Sequence, residues 1–124
     1  MAALNALVVD DSIITTDKLV NMLTELGHNV LQVAGTGQEA LAAYRQLQPD
    51  FVTMDITMPD MDGVQATRLI VEEFPHANII MATSHGQEKM VLAAIDAGAR
   101  GYILKPIRKE KLQESIAKVM RPRA

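Results

Sequence analysis

The stretch Phe51–Gly63, FVTMDITMPDMDG, decides how the rest of the chain is interpreted. A short apolar run with strand-forming residues leads straight into the carboxylate of Asp55, and a loop that contains a proline and a glycine follows at once. A carboxylate at the end of a buried strand is costly unless a cation or hydrogen bonds compensate its charge. Other parts of the sequence must therefore supply that compensation.

Short apolar runs alternate with longer amphipathic segments five times along the 124 residues. This alternation predicts an α/β domain with a parallel sheet. The apolar runs predicted as strands are Leu4–Val9, Asn29–Ala34, Phe51–Met54, Asn78–Ala82 and Gly101–Leu104. A chain of this length holds one hydrophobic core, so we expect a single domain over residues 1–124.

The amphipathic segments predict five helices between and after these strands. They are Ile14–Leu26, Gly37–Leu47, Val64–Phe74, Gln87–Ala97 and Arg108–Met120. Their apolar stripes, such as Met90, Val91, Ala94 and Ile95 in the fourth helix, are interpreted as contacts with the core.

Composition and charge exclude several classes of protein. The chain is 48% hydrophobic and 22% charged, which is typical of a folded globular domain. A formal charge of −3 argues against nucleic-acid binding, and the absence of cysteine excludes disulfides and thiolate metal sites. The first residues, MAALNALVVDDS, predict neither a secretion signal nor membrane insertion, so we expect a cytoplasmic protein.

Polar side chains follow four of the predicted strands, at the point where each strand ends. Asp10 and Asp11 follow the first strand, Asp55 the third, Thr83 the fourth and Lys105 the fifth. Because ligands of open parallel sheets bind at the carboxyl ends of the strands, we expect these residues to meet in one crevice.

The three carboxylates in this crevice would repel one another by about 4 kcal/mol per pair at an effective dielectric of about 20. Lys105 offsets one negative charge, and a site made of oxygen ligands suits Mg²⁺, which also binds phosphoryl oxygens. With both cations present the charges nearly balance. Asp55 then stays ionised and is able to act as a nucleophile towards a phosphoryl group.

The chain resembles the receiver domains of two-component response regulators in four motifs that occur in the right order. They are VVDDS at Val8–Ser12, MDITMPDMDG at Met54–Gly63, MATS at Met81–Ser84 and DAGARGYILKP at Asp96–Pro106. The resemblance covers essentially the whole chain and is closest to the stand-alone, CheY-like chemotaxis type. It implies a flavodoxin-like (βα)5 fold, a doubly wound five-stranded parallel sheet of strand order 2-1-3-4-5 with helices on both faces.

The resemblance also implies a ligand set for the crevice. Asp55 is expected to be the phosphoacceptor. Asp11 and Asp55 would ligate Mg²⁺ directly, Asp10 would act through water, and the backbone carbonyl of Thr57 would be a further ligand.

Other residues are implied in the switch itself. Lys105 would hold a phosphoryl oxygen, and Thr83 would move to donate its hydroxyl to the phosphoryl group. Tyr102 stands where the family has an aromatic side chain whose rotamer follows that threonine. Pro106 would follow a cis peptide bond, and His85, together with Thr57, borders the site, so we predict that this pair tunes the lifetime of the phosphoryl group.

The remaining polar residues receive ordinary interpretations. His28 and His76 are interpreted as solvated loop residues, Asp62 as a turn or helix-start residue, and Gly63 as a residue that serves the turn. The basic residues near the end of the chain are interpreted as a solvated helix end that complements the helix dipole; they are Lys118, Arg121 and Arg123.

The function implied is that of a phosphorylation-activated switch in chemotaxis or motility, and not that of a turnover enzyme. The phosphoryl group would come from a histidine kinase or a histidine phosphotransfer protein. The fourth helix, the fifth strand and the fifth helix would form the face that binds a motor, kinase or relay partner; it includes Lys89, Met90, Arg100, Tyr102 and Lys109. We expect a monomer, and dimerisation on phosphorylation remains open.

Three alternatives compete with this interpretation. The chain could be a receiver domain cut from a longer response regulator, since the final RPRA could begin a linker. An aspartate-nucleophile phosphatase of the haloacid dehalogenase type normally has an acid two residues after the nucleophile, where Thr57 stands. A flavodoxin-like electron carrier would need a loop that accepts a flavin phosphate, which the acids of DDS would repel.

Overall fold

The computed structural model describes residues 2–121, in which five strands and five helices alternate. The strands are β1 (Asn5–Val9), β2 (Asn29–Ala34), β3 (Phe51–Asp55), β4 (Ile79–Thr83) and β5 (Gly101–Leu104). The helices are α1 (Ile13–Glu25), α2 (Gly37–Leu47), α3 (Gly63–Glu73), α4 (Glu88–Ala97) and α5 (Lys109–Val119).

All strand pairs are parallel, and the sheet order is β2-β1-β3-β4-β5. This arrangement confirms the predicted flavodoxin-like fold and strand order. Both β3 and β4 extend one residue past their predicted ends, because Asp55 pairs with Ala82 and Thr83 pairs with Leu104. The polar residues of the predicted crevice are thus held by the sheet itself.

Helices cover both faces of the sheet. Leucines and isoleucines of α1 and α5 pack on one face around Phe51, while α2, α3 and α4 pack on the other. Every residue of β3 and β4 is buried, which explains why these strands read as nearly continuous apolar runs. The sheet therefore positions its strand ends rigidly.

Side-chain caps fix where three of the helices begin. Ser12, Thr36 and Asp62 precede α1, α2 and α3, and each accepts a hydrogen bond from the backbone N–H three residues further on. Asp62 is thus the helix-start residue that the sequence predicts. Gln87 and Arg108, which precede α4 and α5, make no such hydrogen bond.

Two predicted environments are wrong. His28 is buried rather than solvated: its Nδ1 accepts the N–H of Leu4 at 3.1 Å, and its ring packs edge-on against Phe51 at 5.8 Å. Ile95 is 45% exposed rather than part of the core, because α4 turns Val91 and Ala94 to the sheet instead.

Other surface predictions hold within the described residues. His76, Lys118 and Arg121 are exposed, whereas Arg123 lies outside the described residues. Among residues 2–121, none of the helices combines the length and the apolar character needed to cross a bilayer.

Candidate functional site

Three aspartates meet at the carboxyl edge of the sheet. Asp10 and Asp11 follow β1, Asp55 ends the neighbouring strand β3, and one carboxylate oxygen of each lies within 4.8 Å of the others. Asp10 and Asp55 are 3% and 6% exposed, whereas Asp11 is exposed to solvent. The order of apolar runs and acids in the sequence predicts this cluster, because adjacent parallel strands end at the same edge.

Lys105 follows the edge strand β5, and its side chain extends past the end of β4 to the cluster. Its Nζ lies 3.0 Å from Asp10 Oδ2 and 3.0 Å from Asp55 Oδ1. Its backbone N–H donates to the carbonyl of Thr83 at 2.7 Å, and the peptide bond to Pro106 is cis. One ammonium group is therefore shared between two buried carboxylates.

The pKa values of this pair reflect the balance between burial and charge. Burial raises the pKa of Asp55 above its ordinary value, and the charges of Asp10 and Asp11 add to that rise, while the hydrogen bond and charge of Lys105 oppose it. Burial by itself would lower the pKa of Lys105, but its hydrogen bonds to Asp10 and Asp55, with their charges, raise it overall. Lys105 alone does not compensate the cluster.

Gly63 brings the start of α3 against the end of β3. Its N–H donates to the carbonyl of Ile56 at 2.7 Å, and a Cβ at this position would lie 2.0 Å from the carbonyl oxygen of Asp55. The glycine is therefore required by the close approach of two backbones and not by the turn that the sequence suggested.

Thr83 lies at the end of β4, 2% exposed. Its hydroxyl donates to Oε1 of Gln87 at 2.9 Å, and the same oxygen accepts the backbone N–H of Ser84 at 2.7 Å. The Nε2 of Gln87 donates to the hydroxyl oxygen of Thr57 at 3.0 Å. Gln87 thus joins the β3–α3 loop to the β4–α4 loop. The only feature of the sequence that could have indicated this contact is the spacing of four residues between Thr83 and Gln87.

The other predicted switch residues line one groove beside the site. Tyr102 is 52% exposed and lines the groove between α4 and β5, as do Thr83 and His85. His85 is exposed. The proposed roles of Tyr102, His85 and Thr57 remain predictions.

The family model described as the response regulator receiver domain matches residues 6–117. The chain belongs to this family. This confirms the resemblance that the four sequence motifs indicated.

Two curated relatives place the domain in different contexts. The chain is 42% identical over 113 residues to the chemotaxis protein CheY of Thermotoga maritima, a match that covers 91% of this chain and 94% of the relative. It is also 40% identical over 122 residues to the positive alginate biosynthesis regulatory protein of Pseudomonas aeruginosa, covering 96% of this chain but 48% of that protein. Similar receiver domains thus occur both as nearly whole proteins and as parts of longer ones.

A solved structure gives the same fold. The CheX–CheY–BeF3–Mg²⁺ complex of Borrelia burgdorferi contains a chain 35% identical to this one, with a TM-score of 0.90. The match covers 95% of this chain and 90% of that chain.

Proposed function

We propose that this receiver domain is a phosphorylation-activated signalling switch and that Asp55 is its phosphoacceptor. The observation that carries the proposal is the position of Asp55: it ends a central strand, lies beside two further aspartates and is hydrogen-bonded to Lys105. A carboxylate next to an ammonium group in a crevice suits attack on a phosphoryl group, since phosphoryl transfer depends mainly on positioning and charge neutralisation.

The donor set of the cluster fits Mg²⁺. Asp11 and Asp55 would ligate the ion directly, with the carbonyl of Thr57 as a further ligand. Both carboxylate oxygens of Asp10 already accept hydrogen bonds, from Ser12 N–H and from Lys105, which supports a role for Asp10 through water. When bound, Mg²⁺ neutralises charge on the cluster and on phosphoryl oxygens.

The phosphoryl donor in the proposal is a phosphohistidine of a histidine kinase or of a phosphotransfer protein. An oxygen of Asp55 bonds to phosphorus as the phosphorus–nitrogen bond breaks, and the electron pair of that bond stays on the imidazole nitrogen. Lys105 would hold one phosphoryl oxygen, a role supported by the 3.0 Å distance from its Nζ to Asp55 Oδ1. Hydrolysis by water later restores Asp55, so the domain is reset rather than acting as a turnover enzyme.

The partner face in the proposal is formed by α4, β5 and α5. A groove on this face is lined by five lysines and arginines, one acid and several exposed apolar side chains. The basic residues are Arg100, Lys105, Arg108, Lys111 and Lys118, the acid is Glu114, and the apolar residues are Ile95, Tyr102 and Leu104. Such a lining favours an acidic partner segment with apolar anchors. The names of the CheY relatives support a role in chemotaxis. The match to part of a longer regulator supports the alternative that this chain is the receiver domain of a larger protein.

Intact mass spectrometry tests the phosphoacceptor directly. Three samples are incubated with a small-molecule phosphodonor: the wild type with Mg²⁺, the wild type with chelator, and the Asp55→Asn variant with Mg²⁺. Asp60→Asn is the matched control, because Asp60 lies exposed in the loop that follows Asp55. We expect a labile phosphoryl adduct in the wild type and in the control only with Mg²⁺, and none in Asp55→Asn; an adduct that survives Asp55→Asn would overturn the assignment.

A further inference from the structure

Gln87 ties the loop that follows Asp55 to the loop that follows β4. Its Oε1 accepts from both the hydroxyl of Thr83 and the N–H of Ser84, and its Nε2 donates to Thr57, two residues after Asp55. The side chain is half-buried. A single carboxamide thus makes three hydrogen bonds across the mouth of the site.

The orientation of this carboxamide follows from its partners. A backbone N–H can only donate, so the atom that faces Ser84 at 2.7 Å must be the oxygen. The hydroxyl of Thr83 lies 2.9 Å from that oxygen and 3.3 Å from the carbonyl of Ser84, so the shorter hydrogen bond goes to Gln87. Two donors therefore converge on one acceptor oxygen.

We propose that Gln87 is a positioning residue that holds the switch in its unphosphorylated form. Its Oε1 occupies the two donors, on Thr83 and Ser84, until an oxygen of a phosphoryl group on Asp55 takes its place. This inference rests on the proposed function, because it concerns how the phosphoryl group reaches the threonine.

We call the hydrogen bonds from Thr83 and Ser84 to Gln87 Oε1 the latch. The latch opposes phosphorylation because these hydrogen bonds must break before a phosphoryl oxygen can accept the same donors. A phosphoryl oxygen is a stronger acceptor than a neutral amide, so it displaces Oε1 from Thr83 and Ser84. The amide donation to Thr57 is lost at the same step. Because a ligand shifts a two-state equilibrium only by its differential affinity, removing the latch should favour the form that binds the phosphoryl group.

Gln87 also connects the site to the proposed partner face. It directly precedes the first residue of α4, yet its side chain does not cap that helix. It lines the same groove as Val91 and Tyr102. Release of its side chain would therefore remove the tie between the start of α4, which borders that groove, and the site.

Beryllofluoride with Mg²⁺, a mimic of the phosphoryl group, provides the test. Binding to Gln87→Leu and to wild type is measured by ¹⁵N NMR titration, with the Ser84 amide as reporter. We expect Gln87→Leu to bind the mimic about two- to tenfold more tightly, the range that corresponds to one net hydrogen bond. Gln46→Leu, on the exposed face of α2, is the matched control and should leave the affinity unchanged.

A double-mutant cycle separates the latch from a general effect on the fold. In a Thr83→Ala background one of the two latched donors is absent, so the gain from Gln87→Leu should shrink. Equal or weaker binding by Gln87→Leu, or a gain that Thr83→Ala leaves undiminished, would overturn the inference. Gln87→Ala provides the same comparison if the leucine variant does not fold.

The controls also distinguish this inference from the function it rests on. Wild-type protein that does not bind beryllofluoride with Mg²⁺ would overturn both. If the wild type binds the mimic and the Gln87 variants bind it with the same affinity, the latch is overturned and the proposed phosphoacceptor is unaffected.

Discussion

Lys105 and Asp55 share a hydrogen bond of 3.0 Å at the carboxyl edge of the sheet, yet the pKa of Asp55 is raised rather than lowered. Lys105 also donates to Asp10 at 3.0 Å, so its charge is divided between two carboxylates. The rise in the pKa of Asp55 that burial and the neighbouring acids cause is larger than the fall that Lys105 causes. An ionised Asp55 therefore carries a cost that a bound cation would remove.

Asp55→Asn should stabilise the fold when Mg²⁺ is absent. A carboxyl with a raised folded-state pKa binds more protons when folded, so the wild type loses stability as pH rises from about 4 through that pKa. At pH 7, above the ordinary pKa of a carboxyl, this cost is present in the wild type and absent in the variant, where Lys105 keeps Asp10 as its partner. We expect the variant to melt a few degrees higher in chelator.

Thermal melts with chelator and with Mg²⁺ check this expectation. Added Mg²⁺ should raise the Tm of the wild type more than that of Asp55→Asn, because the ion loses a carboxylate ligand. Asp60→Asn, which alters an exposed residue of the loop after β3, should behave like the wild type. A lower Tm for Asp55→Asn in chelator at pH 7 would contradict the proposed cost of the buried charge.

Gly63→Ala should be among the most damaging single substitutions in the chain. The added Cβ would lie 2.0 Å from the carbonyl oxygen of Asp55, and both groups are backbone-fixed. We expect a loss of about 3 kcal/mol in the free energy of unfolding, measured by urea denaturation.

Gly35→Ala is the matched control for this glycine, since its nearest neighbour would be Glu39 Oε2 at 3.9 Å. It should change stability by less than about 1 kcal/mol. A Gly63→Ala protein as stable as the Gly35→Ala protein would show that the two backbones can separate.

His28 should make the fold less stable in mild acid. Burial lowers the pKa of His28, so the unfolded chain binds more protons and stability falls as pH drops below about 6.5 towards the folded-state pKa. Protonation of Nδ1 would also remove the acceptor of the Leu4 N–H.

Urea denaturation between pH 7.5 and pH 5, in steps of about half a unit, measures this dependence. His28→Gln should show a weaker loss of stability over that range, whereas His76→Gln, which alters an exposed histidine, should match the wild type. Identical pH profiles for all three proteins would rule out His28 as the source.

The strand-end residues of the site were predictable because apolar runs locate strands, and parallel strands bring their last residues to one edge. Asp10, Asp11, Asp55 and Lys105 meet as that rule requires. Gln87 was not predictable, because its role depends on a side chain that reaches across two loops.

The surroundings of single residues were harder to predict than the elements that hold them. Burial of His28 depends on packing against Phe51, which is distant in the sequence. Likewise, the exposure of Ile95 depends on how α4 is rotated on the sheet. Local periodicity fixes which residues share a helix face, but the tertiary contacts decide which face is covered.

Thr57 and His85 are expected to set how long the phosphoryl group survives on Asp55. Both are exposed, and the hydroxyl of Thr57 accepts the amide of Gln87 at the edge of the site. Thr57→Ala removes a side chain at the edge of the site and opens the approach of water to Asp55, so the phosphoryl lifetime should shorten by about threefold to tenfold. His85→Ala removes an imidazole able to orient water or take its proton, so the lifetime should lengthen.

Decay of the adduct, followed by intact mass after removal of the phosphodonor, measures both effects. His76→Ala is the matched control, because this exposed histidine lies in the loop after α3. A Thr57→Ala adduct that decays at the wild-type rate would show that the Thr57 side chain does not restrict the approach of water. Unchanged decay in both variants would mean that neither side chain tunes the lifetime, which would then depend on Lys105, Thr83 and the bound cation.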